Sequence, residues 1–166
     1  MENVVIRDFV ASDSAGVLAI NDANQPAVGP LDAARLEALA SQTEWLPVVE
    51  VDGKVAGFAI LLVEGADYAS PNYRWFSERH ERFYYVDRIA IGDGAQGRGL
   101  GARLYAGAAE RARGGGRPVL CAEVNTIPPN EGSLRFHARE GFREVGRERP
   151  YDPDTEVAML ERPTGA

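Results

Sequence analysis

The chain has little of the material that builds metal clusters or covalent staples. Its 166 residues include one cysteine, Cys121, and two histidines. A single cysteine excludes an internal disulfide and suits a reducing compartment, so a cytoplasmic location is expected. So few nitrogen and sulfur donors leave little for a metal centre, and no metal is expected. No segment approaches the ~20 consecutive apolar residues that a membrane span needs. The opening Met1-Glu2-Asn3-Val4-Val5 lacks the basic stretch and apolar core of a secretory signal. Positive charge is also in deficit. The formal net charge is -7, and arginines alternate with acids, as in Glu78-Arg79-His80-Glu81-Arg82. No basic cluster marks a polyanion-binding face, so neither nucleic acid nor an anionic membrane is an expected partner. An acidic rim would instead draw a cationic amine.

What is present suits one globular domain over residues 1–166, long enough to bury a core without staples. Residues 4–7 are β-rich, and Ser12-Asp13-Ser14 offers helix caps before 15–20. A second helix spans 31–40, with Leu31, Leu36 and Leu39 on its apolar face. Strands at 46–51 and 55–63 flank Asp52-Gly53, a strong hairpin signal. Residues 65–81 read as irregular and aromatic-rich, and 82–91 as a strand. A helix over 100–113 places Leu100, Leu104 and Ala108 in one row and ends at Gly114-Gly115-Gly116. Then come a strand at 119–124, a helix at about 130–139 stopped by Gly141, and a final antiparallel pair at 142–149 and 156–160. The fold class is α/β, a mixed and mostly antiparallel central sheet with flanking helices. The strand-helix-strand unit around 100–113 makes its centre parallel.

One turn stands out chemically. Gln96-Gly97-Arg98-Gly99-Leu100-Gly101 lies between an apolar strand and an apolar-striped helix. Glycines without Cβ let an anion approach the backbone. The first N–H groups of the next helix have no internal partners, and the helix dipole adds to their attraction for a pyrophosphate. Arg98 offers a charged donor. The glycines alone are also compatible with a mere tight turn. No Gly-Lys-Ser/Thr follows, which excludes a P-loop. Gly97, Gly99 and Ala102 also fit the dinucleotide pattern G-x-G-x-x-A, with Glu123 at the end of the next strand. Against that pattern, five residues separate Ile91 from Gly97, and too little chain remains for a dinucleotide-binding sheet.

Three segments taken together carry a resemblance. They are Asp87-Arg88-Ile89-Ala90-Ile91, the turn at 96–101, and Asn130-x-x-Ser133-x-x-x-His137-x-x-x-Gly141-Phe142. With the strand order, they resemble the GNAT superfamily of N-acetyltransferases, whose cofactor motif reads Gln/Arg-x-x-Gly-x-Gly/Ala. Gln96, Gly99 and Gly101 satisfy it. The resemblance covers nearly all of the chain and implies the GNAT-like acyl-CoA acyltransferase fold. It also implies acetyl-CoA as acyl donor without a metal, and an amine on a small molecule or peptide as acceptor. The amine would attack the thioester directly, since most members form no acyl-enzyme. Dimers are frequent in the family, so a homodimer is compatible with it.

Carried onto this chain, the resemblance gives the pyrophosphate to Gln96, Gly97, Arg98, Gly99, Leu100, Gly101 and Ala102. The main chain of Ile89 and Ile91, flanking Ala90, would pair with the pantetheine arm, and Asn130 and Ser133 would lie near that arm. His137 stands where many members have the tyrosine that protonates the departing thiolate, and histidine can serve that role; packing within the helix is its plainer role. Asp87 and Glu123 are the carboxylates placed to deprotonate an ammonium acceptor, though strand carboxylates often only face solvent or pair with arginine. Cys121 reads as a small buried strand residue. The segment Thr126-Ile127-Pro128-Pro129 is insertion-like, and residues 68–75 would cover the acceptor. Two other readings stand beside the enzyme: a non-catalytic acyl-CoA-binding sensor, its chemistry lost at His137, and a nicotinamide-dependent oxidoreductase.

Overall fold

A computed structural model describes residues 1–166. It contains one seven-stranded sheet in the order β1-β2-β3-β4-β5-β7-β6. The strands are β1 (Val4–Asp8), β2 (Pro47–Val51), β3 (Lys54–Val63), β4 (Tyr84–Ile91), β5 (Val119–Ile127), β6 (Arg143–Glu148) and β7 (Glu156–Pro163). The helices are α1 (Ser14–Ala23), α2 (Ala33–Ala40), α3 (Pro71–Ser77), α4 (Leu100–Gly114) and α5 (Glu131–Arg139). The pairs β1–β2, β2–β3, β5–β7 and β6–β7 are antiparallel, and β4–β5 is parallel. This is the mixed, mostly antiparallel sheet that the sequence implies. No helix is long and apolar enough to cross a membrane.

The chain divides into two compact units. The first comprises Met1–Leu62 and Val86–Gly107. Its hairpin turns at Asp52 (φ 49°) and Gly53 (φ 80°), the two left-handed positions that a two-residue turn demands. Asp32 caps α2 by accepting from Arg35 N–H at 2.8 Å. Val17, Leu36, Val48, Phe58, Ile60 and Leu104 are buried in this unit's core. Gly107 on α4 lets Trp45 close in, since an added Cβ would lie 2.9 Å from the indole.

The second unit comprises Val63–Tyr85 and Ala108–Ala166. Here the structure corrects one expectation. Residues 65–81 are not wholly irregular, because α3 occupies Pro71–Ser77. Its start signature is present in the sequence: Ser70 accepts from Tyr73 N–H, and Pro71 takes the first helical turn, where a missing N–H costs nothing. Tyr73 then packs edge-on to Tyr85 at 5.5 Å and donates its hydroxyl to the Val63 carbonyl at 2.6 Å. Glycine ends α5. Gly141 (φ 90°) donates to the Ala138 carbonyl, and Phe142 N–H reaches back to the His137 carbonyl at 3.0 Å. That paired closure satisfies carbonyls which the helix leaves open.

One buried charge in the first unit gives a direct test. The Asp13 carboxylate, 5% exposed, accepts from Arg7 Nη1 (2.8 Å), Arg7 Nη2 (3.0 Å) and Val10 N–H (2.9 Å). The Arg7 guanidinium therefore holds its pKa below the ordinary value, outweighing burial. A depressed carboxylate stabilises the fold above its unfolded pKa, and that stability is lost as pH falls. Asp13→Asn should cost about 1–3 kcal/mol at pH 7, measured by urea unfolding. The gap to wild type should narrow below about pH 4. A gap constant from pH 7 to pH 3 would contradict this.

Candidate active site

The first unit supplies a backbone cradle. After β4, Gly92 N–H donates to the Ala56 carbonyl at 2.8 Å, and Asp93–Ala95 make one turn of 3-10 helix. Gln96 is extended, and its Nε2 donates back to the Ile91 carbonyl at 3.2 Å. Gly97 (φ 76°) and Gly99 (φ 72°) both lie in the left-handed region, where a side chain would be strained. A Cβ at either position would meet nothing within 4 Å, so the space beside this backbone is open. Gly99 hands its carbonyl to Arg103 N–H at 3.1 Å, and Leu100, buried, anchors the start of α4. Gly101 and Ala102 follow in the first turn of this 15-residue helix. An open turn feeding a long helix has the features that favour an anion: accessible backbone and the positive end of a helix dipole.

Other expected residues of this unit are placed as follows. Arg98 turns to the chain start, with Nη1 at 2.6 Å from Glu2 Oε1 and Nη2 donating to the Gly94 carbonyl at 3.1 Å. Ala90 is buried, and Ile89 and Ile91 are half-buried. The Ile91 carbonyl receives Asn24 Nδ2 as well as Gln96 Nε2, each at 3.2 Å. Asp87 is in a buried ion pair, its Oδ2 accepting from Arg88 Nε at 2.9 Å. Arg88 in turn donates to Asn21 Oδ1 (3.1 Å) and the Gly29 carbonyl (3.0 Å).

The second unit brings a different set together. Tyr85 and Cys121 are register partners in the parallel β4–β5 ladder, and Glu123 lies two residues further along β5 on the same face. The fully buried Tyr85 directs its hydroxyl at both carboxylate oxygens of Glu123, 2.8 Å from each. Burial first, then the carboxylates of Glu161 and Glu123, push the Cys121 thiol pKa up. It is therefore no nucleophile by itself.

Asn130 caps α5, accepting from Ser133 N–H at 3.3 Å. His137, 3% exposed, points Nδ1 at the Ser133 carbonyl (2.8 Å), with Ser133 Oγ at 3.3 Å. Its ring packs edge-on to Phe136 and Phe142, each 5.2 Å away. A carbonyl can only accept, so the Nδ1 proton is fixed by that contact. Burial lowers the His137 pKa, and the Ser133 carbonyl offsets this only in part. The ring is a packed residue beside the glycine closure of α5, and its burial favours the uncharged form.

Sequence reasoning missed the Tyr85–Glu123 contact, because the register between parallel strands joined by a helix leaves no periodic signal. It also missed Gln96 as a brace for its own turn. That glutamine lay in the motif, but only the fold shows which carbonyl it reaches.

Comparisons with known proteins agree with this geometry. The model of the acetyltransferase (GNAT) family matches residues 17–142. A phosphinothricin N-acetyltransferase of Streptomyces coelicolor is 39% identical over 79 residues, a match spanning 45% of this chain and 45% of that relative. The crystal structure of an N-acetyltransferase from Staphylococcus aureus Mu50 is 26% identical, covers 98% of this chain and 99% of its own, and has a TM-score of 0.73. N-acetylglutamate synthase from Neisseria gonorrhoeae, complexed with coenzyme A and N-acetyl-glutamate, aligns with 99% of this chain and 36% of its own at 21% identity and a TM-score of 0.71. Its likeness is one of fold. With the family model covering most of its length, the chain belongs to the GNAT acetyltransferase family.

Proposed function

We propose that this enzyme, a single domain over residues 1–166, moves the acetyl group of acetyl-CoA to a primary amine of a small molecule or peptide by direct attack on the thioester. The observation that carries the reading is the turn at residues 96–100. Two left-handed glycines leave backbone open at the head of a long helix, in a family whose fold uses acetyl-CoA. The residues fit the cofactor, because a Cβ at Gly97 or Gly99 would stand in space that is now empty. The activity named for the Streptomyces relative supports an amine acceptor.

Acetyl-CoA, when bound, supplies the activated acyl group. Backbone N–H groups of Gly97 to Ala102 hold its phosphates, and Gln96 braces their turn against Ile91. An ammonium acceptor must lose a proton before it can attack. Glu123 fits that task better than Asp87. Tyr85 orients its carboxylate through a shared hydroxyl, whereas Asp87 neutralises a buried guanidinium. We assign His137 a packing role in α5, since its Nδ1 proton is held by the Ser133 carbonyl.

Thiol release from acetyl-CoA across a panel of primary amines tests the activity. Glu123→Gln should lower the best rate by at least ~10-fold near neutral pH, with partial recovery at high pH, where free amine is more abundant. Asp87→Asn should instead cost about 3 kcal/mol of stability by leaving Arg88 buried without its counter-ion. Equal, pH-independent rates for wild type and Glu123→Gln would assign the proton to water.

His137 gives a pH prediction of fixed sign. Its folded pKa is below the unfolded value near 6.5. The neutral ring stabilises fully above that pH, and stability is lost as pH falls below it, because the unfolded chain takes up the proton. His137→Phe should flatten this part of the stability–pH curve and leave turnover within about threefold of wild type. A loss beyond ~10-fold that His137→Tyr recovers would return a proton-transfer role to this position.

A further inference from the structure

The single cysteine and one of the two histidines meet at a glutamate. Cys121 and Glu161 are direct partners across the antiparallel β5–β7 ladder, so their side chains leave the same face of the sheet. His80 reaches them from the turn after α3, where its N–H closes on the Phe76 carbonyl at 2.9 Å. Its Nε2 contacts Glu161 Oε1. The imidazole nitrogen, the Cys121 sulfur and a Glu161 oxygen all lie within 4.8 Å of one another. All three residues belong to the second unit.

We propose that His80, Cys121 and Glu161 form a zinc site that ties the α3–β4 turn to strands β5 and β7. Three physical points carry it. The donor set is a thiolate, an imidazole and a carboxylate, which is the set that suits Zn2+. Zinc–ligand bonds of about 2.0–2.3 Å place tetrahedral ligand atoms roughly 3.3–3.8 Å apart. The longest separation here therefore closes by ~1 Å as side chains rotate, while the His80–Glu161 contact opens to admit the ion.

Charge is the second point. One thiolate and one carboxylate cancel the two charges of the ion, so a site beside a fully buried sulfur becomes neutral. Access is the third. His80 and Glu161, with Arg143 and Glu144, line a cleft of ≈ 440 Å³, and Cys121 lies fully buried. Two ligands thus face an opening through which the ion enters, and a water from the cleft takes the fourth position.

Binding is a balanced exchange. The Cys121 S–H bond breaks and its proton passes to solvent, the His80 proton facing Glu161 moves to the other ring nitrogen or to solvent, the sulfur–zinc, nitrogen–zinc and oxygen–zinc bonds form, and the ion sheds hydration water. No oxidant or reductant takes part. The site is independent of acetyl transfer, so its test is metal binding.

The experiment uses the full-length, tag-free protein stripped with chelator, titrated with Zn2+ by calorimetry and with Co2+ by absorption. One ion per chain is expected, with a Kd on the order of 1 µM or tighter. Co2+ should give an intense thiolate-to-metal charge-transfer band. Cys121→Ser and His80→Gln should each weaken Zn2+ by at least ~10-fold while keeping the wild-type circular dichroism, and Cys121→Ser should lose the band. His80 lies at a half-exposed turn, so its variant reports even if the strand variant fails to fold. Absence of binding, binding without the thiolate band, or equal affinity in wild type and His80→Gln would each overturn the proposal.

Discussion

The passage from β4 into α4 requires the backbone to enter the left-handed region twice in three residues, at Gly97 and Gly99. Everything proposed for the cofactor depends on that requirement. A side chain at either position would be strained and would also fill the open space beside the turn. Conformation and binding therefore ask for the same residue. The surroundings hold the turn in shape: Gly92 is tied to Ala56, Gln96 to Ile91, and Leu100 is buried in the core of its unit. On the proposed reading, little is then left to order at the head of α4 when an anion binds.

The buried and half-buried carboxylates divide by their partners. Asp13 has Arg7, Asp87 has Arg88, and Glu64 has a two-pronged contact with Arg117 at 2.9 and 3.0 Å. Removing one member of such a pair strands the other, so these pairs read as structural. Glu123 instead meets a phenol, the Tyr85 hydroxyl lying 2.8 Å from both carboxylate oxygens. That contrast motivates the proposal of Glu123 as the base, and sequence position alone could not supply it. It also places Cys121 between two carboxylates, Glu123 along its own strand and Glu161 across the ladder, where a thiol stays protonated unless a metal ion replaces the proton.

Much of the fold was legible because its signals are local. Asp52-Gly53 announced its hairpin, the row of Leu100, Leu104 and Ala108 announced α4, and Gly141 announced the end of α5. The helix α3 was missed because its seven residues are too few for an apolar period to show, although Ser70-Pro71 marks its start. The order β5-β7-β6 sets the last strand beside β5, and nothing local specifies that insertion. At the site, the glycines were legible because their conformation is written in residue type. The roles of Asp87, Glu123 and His137 were not, since each depends on a partner brought from elsewhere in the fold or on burial: Asn21 and Gly29 through Arg88, Tyr85, and the rings of Phe136 and Phe142. The composition suggested too few donors for a metal, but composition does not report that His80, Cys121 and Glu161 converge.

The central claim is that the turn at residues 96–100 binds the pyrophosphate, and the most direct measurement compares acetyl-CoA with acetyl-pantetheine, which lacks it. Calorimetry on wild type and on Gly99→Glu, with Gly99→Asn as a variant that tolerates the left-handed backbone, separates charge from conformation. Wild type should bind acetyl-CoA at least ~100-fold more tightly than acetyl-pantetheine, about 2.7 kcal/mol, and Gly99→Glu should abolish most of that difference. Gly99→Asn should retain more of it than Gly99→Glu. Equal affinity of wild type for the two ligands, or an undiminished difference in folded Gly99→Glu, would contradict the account.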